Sequence, residues 1–145
     1  MEFLTLEQAN DYFQNERPES EEWFVETMTD EIRSRYLSCA ENIIAFSAFR
    51  FPPGFLDAKD RSGRPYRILR NAICEEAIHL MQTGALRKNP KLMMGIQQAS
   101  VGPLSVTFSK EFDKPLIPPE LYPMLESIGA ISAGTSTIQS GSVLF

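Results

Sequence analysis

The stretch RILRNAICEEAIHLM, residues 67–81, decides the fold class of this 145-residue chain. Its apolar residues return every three or four positions, which places them along one side of a helix. The members of this stripe are Ile68, Leu69, Ala72, Ile73, Ala77, Leu80 and Met81. Pro65 suits a first helical turn and Gly84 suits a helix end, so the pattern predicts a long amphipathic helix between them.

The first thirty residues predict a shorter helix and a turn. Thr5-Leu-Glu-Gln8 is a capping box, in which the Thr5 hydroxyl and the Gln8 side chain each bond to the other residue's backbone amide. This helix is expected to end before Pro18. Ser20 is expected to cap a brief turn that carries Trp23.

A second long helix is predicted from Thr29, which is a favourable N-cap, to about Phe49. Its apolar stripe comprises Ile32, Tyr36, Cys39, Ala40, Ile43, Ile44 and Phe46. A loop over residues 51–63 separates it from the helix described first. A short last helix is predicted to open at Pro118-Pro119 and to close at Gly129.

The period of the pattern changes between residues 96 and 109, where every second residue is apolar. Alternation of this kind is typical of strands, and Gly102-Pro103 is a turn signal. We therefore predict a β-hairpin or a bent strand there. The predicted fold class is mainly α (α+β): a bundle of about four helices with one β-hairpin. Residues 1–131 form one domain, and the Ser/Thr/Gly-rich residues 132–145 form an extended C-terminal arm, which either binds a partner chain or folds back on its own domain.

Charge is distributed unevenly along the chain. The net charge is −5, and residues 1–31 hold ten acids and one base while the remainder holds nine acids and thirteen bases. An acidic front and a basic middle predict head-to-tail pairing between copies, and the alternative is a solvated acidic surface. The residues expected to pair are Glu19, Glu21, Glu22, Glu26, Arg61, Arg64, Arg67 and Arg70.

The basic face from Lys59 to Arg70 allows a second function, a single-stranded-DNA-binding module, because its cations could meet phosphates. Tyr66 is the one aromatic residue among these cations, which is thin for a base-stacking platform. The acidic net charge also argues against nucleic acid as the main partner. A plain solvated face is the third interpretation.

Signals of catalysis are weak, so we expect no enzyme, no catalytic residue, no metal and no cofactor. The chain has one histidine, and Glu76 and His79 supply only half of a di-iron carboxylate motif; we expect them to form a surface pair. Cys39 and Cys74 are expected to be reduced core thiols. The acidic start and the absence of a long apolar run predict a soluble protein without a membrane partner.

The chain resembles the head–tail connector family of tailed bacteriophages. The residues that carry the likeness are LTLEQANDYF at 4–13, AICEEAIHL at 72–80 and SVGPLSVTF at 100–108. The last is similar to phage proteins often labelled putative DnaT-like single-strand DNA-binding proteins. The likeness covers about residues 3–128 by element order and short motifs.

The resemblance implies a structural, head-completion protein of the virion neck, made in the bacterial cytoplasm and active in genome ejection. Such adaptors form a homo-oligomeric ring, a dodecamer by resemblance, between the portal protein and a tail, stopper or tail-terminator protein. The ring extends the channel, through which double-stranded DNA passes without tight binding. The C-terminal arm would then dock on the portal through Thr135, Thr137, Ile138, Gln139, Val143, Leu144 and Phe145.

Overall fold

The computed structural model describes residues 2–84 and 116–132, and these residues form a mainly helical fold, as the sequence predicts. The helices are α1 (Leu6–Asp11), α2 (Asp30–Glu41), α3 (Arg64–Thr83) and α4 (Leu121–Glu126). Strands β1 (Phe49–Arg50) and β2 (Ile131–Ser132) pair antiparallel. None of the helices in these two ranges is long and apolar enough to cross a membrane.

The predicted starts of α1 and α2 and the predicted end of α3 are confirmed, whereas α4 begins at Leu121 rather than at Pro118-Pro119. The capping box of α1 is complete, with both backbone-to-side-chain bonds present between Thr5 and Gln8. The Thr29 side chain accepts a hydrogen bond from the Ile32 amide and caps α2. α3 ends at Gly84, which adopts a left-handed conformation with φ of 70°. At all these positions the signal is local, so short-range sequence suffices to predict it.

α1 and α2 both continue as π-helical segments, Tyr12–Glu16 and Asn42–Ser47. The second segment ends before the predicted boundary, since Phe49 belongs to β1 rather than to the helix. Phe46 was predicted to lie in the apolar stripe, yet it is 48% exposed. A π-helical turn holds more residues than an α-helical turn, so it rotates the following side chains away from the stripe.

α2 and α3 pack against each other in opposite directions and supply most of the core. Tyr36, midway along α2, and Met81, near the end of α3, border one hollow. At the other end, Glu41 binds the amide of Phe3, whose ring lies beneath Arg61, three residues before α3. The largest fully buried side chains come from both helices, α4 and the first turns of the chain: Phe13, Trp23, Leu37, Ile43, Ile44, Leu69, Ile73, Ile78, Leu80, Leu121 and Leu125.

The short turn Glu21–Phe24 is a 3-10 helix, and Ser20 precedes it without capping it. The Ser20 hydroxyl instead donates to the carbonyl of Phe13, so the predicted cap is wrong. Ser20 is buried against the end of the first helix, where that carbonyl is the nearer acceptor. The result fastens the turn to the segment that follows α1.

The β-pair closes the domain at its C-terminal side. Ser132 pairs with Phe49, and Arg50 pairs with Ile131, so β2 extends one residue into the predicted arm. The β-hairpin predicted at 96–109 and the remainder of the arm lie outside the described residues. α4 ends at Glu126, before the predicted end at Gly129, and a turn continues to that glycine. At Gly129 φ is 91° and the backbone passes close to the ring of Pro52.

Candidate assembly surfaces

The acidic end is the surface formed by residues 19–26, and it lies beside the C-terminus of α3. Glu22 accepts a hydrogen bond of 3.2 Å from Nε2 of Gln82. Glu19, Glu21 and Glu26 are exposed and make no hydrogen bond or ion pair with the described residues. Four carboxylates therefore gather at one end of the subunit, and among residues 2–84 and 116–132 none of them forms an ion pair.

The acidic end is held in place by buried contacts. Trp23 is fully buried, stacks on Phe13 with ring centroids 4.4 Å apart, and donates from Nε1 to Asn10 at 2.8 Å. Nε of Arg33 donates to the Trp23 carbonyl at 2.8 Å, and its guanidinium lies 6.0 Å from the Phe24 ring. The exposed carboxylates thus stand on a preorganised turn.

The basic end is the surface formed by Arg61, Arg64, Arg67 and Arg70 around the N-terminus of α3. Arg61 is mainly structural, since it donates to the carbonyls of Leu56 and Ala58 at 2.9 Å and lies 4.4 Å over the Phe3 ring. Arg70 donates to the Arg61 carbonyl at 3.0 Å. These two guanidinium groups order the 51–63 loop against α3.

Two of the four arginines face solvent. Arg64 is exposed and makes no hydrogen bond or ion pair within the described ranges. Arg67, whose side chain is 66% exposed, reaches Glu16 at 3.2 Å. In high dielectric such a pair contributes little, so both cations are available to a partner.

The two ends are far apart. Arg64 is the first residue of α3 and Gln82, which holds Glu22, is the last but one. Eighteen residues of α-helix span about 27 Å, at about 1.5 Å per residue. The carboxylate of Glu22 therefore cannot reach the guanidinium of Arg64 in the same copy.

The charges also oppose the dipole of α3. Its first turn holds no acidic residue and its last turn holds no basic residue, the reverse of the arrangement that stabilises a helix. Arg64 and Arg67 add positive charge at the positive end of the dipole, and Glu22 adds negative charge at the negative end. The subunit is thus electrically polar along α3.

Tyr66, the aromatic residue among these cations, is not free to stack on a base. Its ring stacks on Phe55 with centroids 4.4 Å apart, and its hydroxyl donates to the Phe55 carbonyl at 2.6 Å. Lys59 is exposed. Tyr66 therefore gives little support to the DNA-binding interpretation, since its ring and its hydroxyl are both engaged by Phe55.

The Glu76–His79 pair was expected on the surface, and the structure contradicts this for Glu76. Glu76 is 0% exposed, and neither of its carboxyl oxygens has a hydrogen-bond partner. Burial raises the pKa of Glu76 well above its ordinary value, because the charged carboxylate is poorly solvated there. Within residues 2–84 and 116–132, no three metal-ligating side chains gather to hold a metal ion.

The neighbouring Glu75 faces the other way and meets two donors. Nε of Arg17 lies 2.9 Å from Oε2 of Glu75, and the hydroxyl of Tyr12 also donates to that oxygen. Burial, followed by the contact with Glu75, raises the pKa of Tyr12. This group joins α3 to the turn after α1.

Both cysteines are buried and free, as predicted. Burial raises the pKa of Cys39 to about 12, and it raises that of Cys74 as well. At neutral pH both thiols are protonated and poorly nucleophilic.

Sequence reasoning placed the exposed charges but missed two features. The burial of Glu76 had a signal, because its helical neighbours Ala72, Ile73 and Leu80 are apolar. The exposure of Phe46 had none, since the π-helical turn is a tertiary effect. The proposed arm residues from Thr135 to Phe145 lie outside the described part of the chain.

Comparisons with protein-family models, with curated proteins and with solved structures found no match to this chain.

Proposed function

We propose that this protein is a structural adaptor that assembles head to tail into a ring at the head–tail junction of a tailed bacteriophage. The ring would join the portal to the tail and extend the DNA channel. The family assignment depends on the sequence resemblance, and the assembly mode on the geometry of the two charged ends.

The polarity of the subunit along α3 is the observation that carries the proposal. The exposed Arg64 and Gln82, which holds the exposed Glu22, are separated by about 27 Å of helix. Surfaces of opposite charge at opposite ends of one subunit can pair with each other when they belong to different copies. A contact of this kind is heterologous, and it closes into a ring when the rotation between copies permits.

The cost of this arrangement supports a role in assembly. Charges placed against a helix dipole each destabilise the helix by about 0.3–1 kcal/mol at low ionic strength. A surface selected for stability alone would carry acids at the start of α3 and bases at its end. The reversed placement of acids and bases on α3 is understandable if each end of the subunit binds the oppositely charged end of a neighbouring copy.

The experiment uses two charge-reversed variants. The first is Arg64→Glu with Arg67→Glu, and the second is Glu21→Lys with Glu22→Lys. The first variant cancels the net charge of the basic end and the second cancels that of the acidic end, so each alone should stay monomeric because the attraction between opposite ends is lost. An equimolar mixture should assemble again with alternating subunits. Light scattering of each protein, alone and with the portal of its phage, measures the mass.

The control is Arg35→Glu, which reverses an exposed charge on the side of α2. It should assemble as the wild type does. A wild-type protein that stays monomeric both alone and with the portal would contradict the proposal. Tight binding of single-stranded DNA with a steep salt dependence, lost in the Arg64→Glu, Arg67→Glu variant, would favour the DNA-binding alternative instead.

A further inference from the structure

The acidic end contains an apolar hollow that none of the described residues fills. It has a volume of about 210 Å³ and is lined by Val25, Met28, Tyr36 and Met81, with Glu22 at its edge. Val25 is 42% exposed, which is high for a residue on a rigid turn. A cavity of about 150 Å³ holds a benzene ring in another protein, so this hollow can receive one aromatic side chain.

The basic end contains an aromatic side chain that stands out from the surface. Phe46 is 48% exposed, and it lies 5.8 Å from the Phe3 ring that Arg61 covers. It belongs to the π-helical segment Asn42–Ser47, which turns it outward. Irregular turns of this kind in helices frequently occur at functional sites.

The ring and the hollow are separated within one copy. Tyr36 borders the hollow and Phe46 lies ten residues further along the same helical run, about 15 Å away at about 1.5 Å per residue. Phe46 therefore cannot fill the hollow of its own copy. The hollow lies at the acidic end and the Phe46 ring at the basic end, so the apolar features are divided between the two ends as the charges are.

We propose that the Phe46 ring of one copy inserts into the hollow between Val25, Tyr36 and Met81 of the next copy. This inference rests on the proposed head-to-tail assembly and names its apolar centre. The charged ends bring the copies together in one orientation, and burial of the aromatic ring holds them. Methionine suits the lining of such a pocket, because its thioether adapts to and interacts favourably with an aromatic ring.

The anatomy fits that of a binding hot spot. A large aromatic side chain enters a pocket at the centre, and charged residues surround it and keep water out. The turn that carries Val25 is preorganised by the buried Trp23 and by the bond from Arg33, so little ordering is lost on binding.

Removal of the ring tests the inference directly. Phe46→Ser should weaken self-association by roughly tenfold or more, as loss of a hot-spot residue does. Phe46→Leu should retain part of the affinity. Ile131→Ser is the matched control, since Ile131 is 64% exposed and is assigned no role. Sedimentation velocity over a concentration series measures the association constant, and circular dichroism verifies the fold.

Crosslinking tests which surfaces meet. Thr27→Cys borders the hollow, and Asn42→Cys lies one turn before Phe46. Because the native thiols are buried, a short bismaleimide reagent should react with the engineered cysteine alone. A dimer band should form when the two variants are mixed and should be absent from either variant by itself.

The outcomes separate this inference from the proposed function. If the charge-reversed variants co-assemble but Phe46→Ser assembles normally, or the mixed cysteine variants do not crosslink, the apolar contact is wrong and the adaptor proposal stands. A dimer of Thr27→Cys with itself would show an isologous contact and overturn the inference. If the wild-type protein never self-associates, both proposals fail.

Discussion

Glu41 in α2 and Glu76 in α3 are both buried carboxyl groups, 4% and 0% exposed, on helices that pack against each other. Their surroundings differ completely. Oε2 of Glu41 accepts from the Glu2 amide at 2.6 Å and Oε1 from the Phe3 amide at 2.9 Å, whereas Glu76 has no partner. Glu41 fastens the start of the chain to the core, whereas burial raises the pKa of Glu76 and so favours its uncharged form. The comparison teaches that available donors, rather than residue type or depth, decide what a buried carboxyl does.

The largest effect is expected from Glu41→Ala. It removes the acceptor of two buried or half-buried amides, and charged hydrogen bonds contribute about 1.5–3 kcal/mol each. We expect the free energy of unfolding to fall by about 3 kcal/mol. Urea denaturation followed by circular dichroism measures the free energy of unfolding. The control is Glu31→Ala, which removes an exposed ion pair with Arg35. A loss as small as that of the control would show that the two amides find water instead.

The second effect has the opposite sign. Glu76→Met replaces a buried carboxyl that has no partner with an apolar chain of similar length, so stability at pH 7 should rise by about 2 kcal/mol. The same urea experiment measures the gain. A loss of stability would mean that Glu76 meets a polar group in the folded protein, and the contrast with Glu41 would disappear.

The pH dependence sharpens the same contrast. Burial raises the pKa of Glu76 above its ordinary value of 4.5, so the folded protein keeps a proton that the unfolded chain has released. The contribution of this proton to the free energy of unfolding is therefore complete below pH 4.5. It declines as the pH rises towards the pKa of Glu76 in the folded protein. The difference in stability between Glu76→Gln and the wild type should grow by up to about 1.4 kcal/mol per pH unit in that window. A constant difference would contradict this.

The smallest effect concerns Glu75, which is intermediate between the two. It is partly exposed and meets two donors, Arg17 and Tyr12. Tyr12→Phe removes one of these donors and should cost about 1 kcal/mol, since a typical hydrogen bond contributes about that much. Thermal denaturation of Tyr12→Phe and Glu75→Gln measures it. The double variant Tyr12→Phe, Glu75→Gln completes the comparison. If it loses no more stability than Glu75→Gln alone, the Tyr12 hydroxyl acts through Glu75.

The same distinction explains what the sequence could predict. Helix starts and ends depend on one or two local residues, such as Thr5 with Gln8 or Gly84, and these predictions are confirmed. The long stripe in α3 predicted its buried face because one period holds over twenty residues. The mainly helical class follows from these signals.

Features that depend on tertiary contacts were not predictable. Ser20 turns to the carbonyl of Phe13 rather than capping its own turn, and Phe46 rotates outward because the helix widens there. The charge segregation along the sequence was evident, but its placement at opposite ends of α3 required the packing of the first turns against Gln82. The charged residues of the candidate surfaces could be identified from the sequence, but the distance between the acidic end and the basic end required the fold.

Trp23 gives the acidic end its own optical reporter. It is the chain's one tryptophan, it is 0% exposed, and its ring stacks on Phe13 next to the exposed Phe24 and Val25. Its emission should therefore be blue-shifted in the folded protein and should shift to the red when this turn detaches from the core. Intrinsic fluorescence can thus follow, without any label, the one corner of the molecule where a neighbouring copy would first make contact.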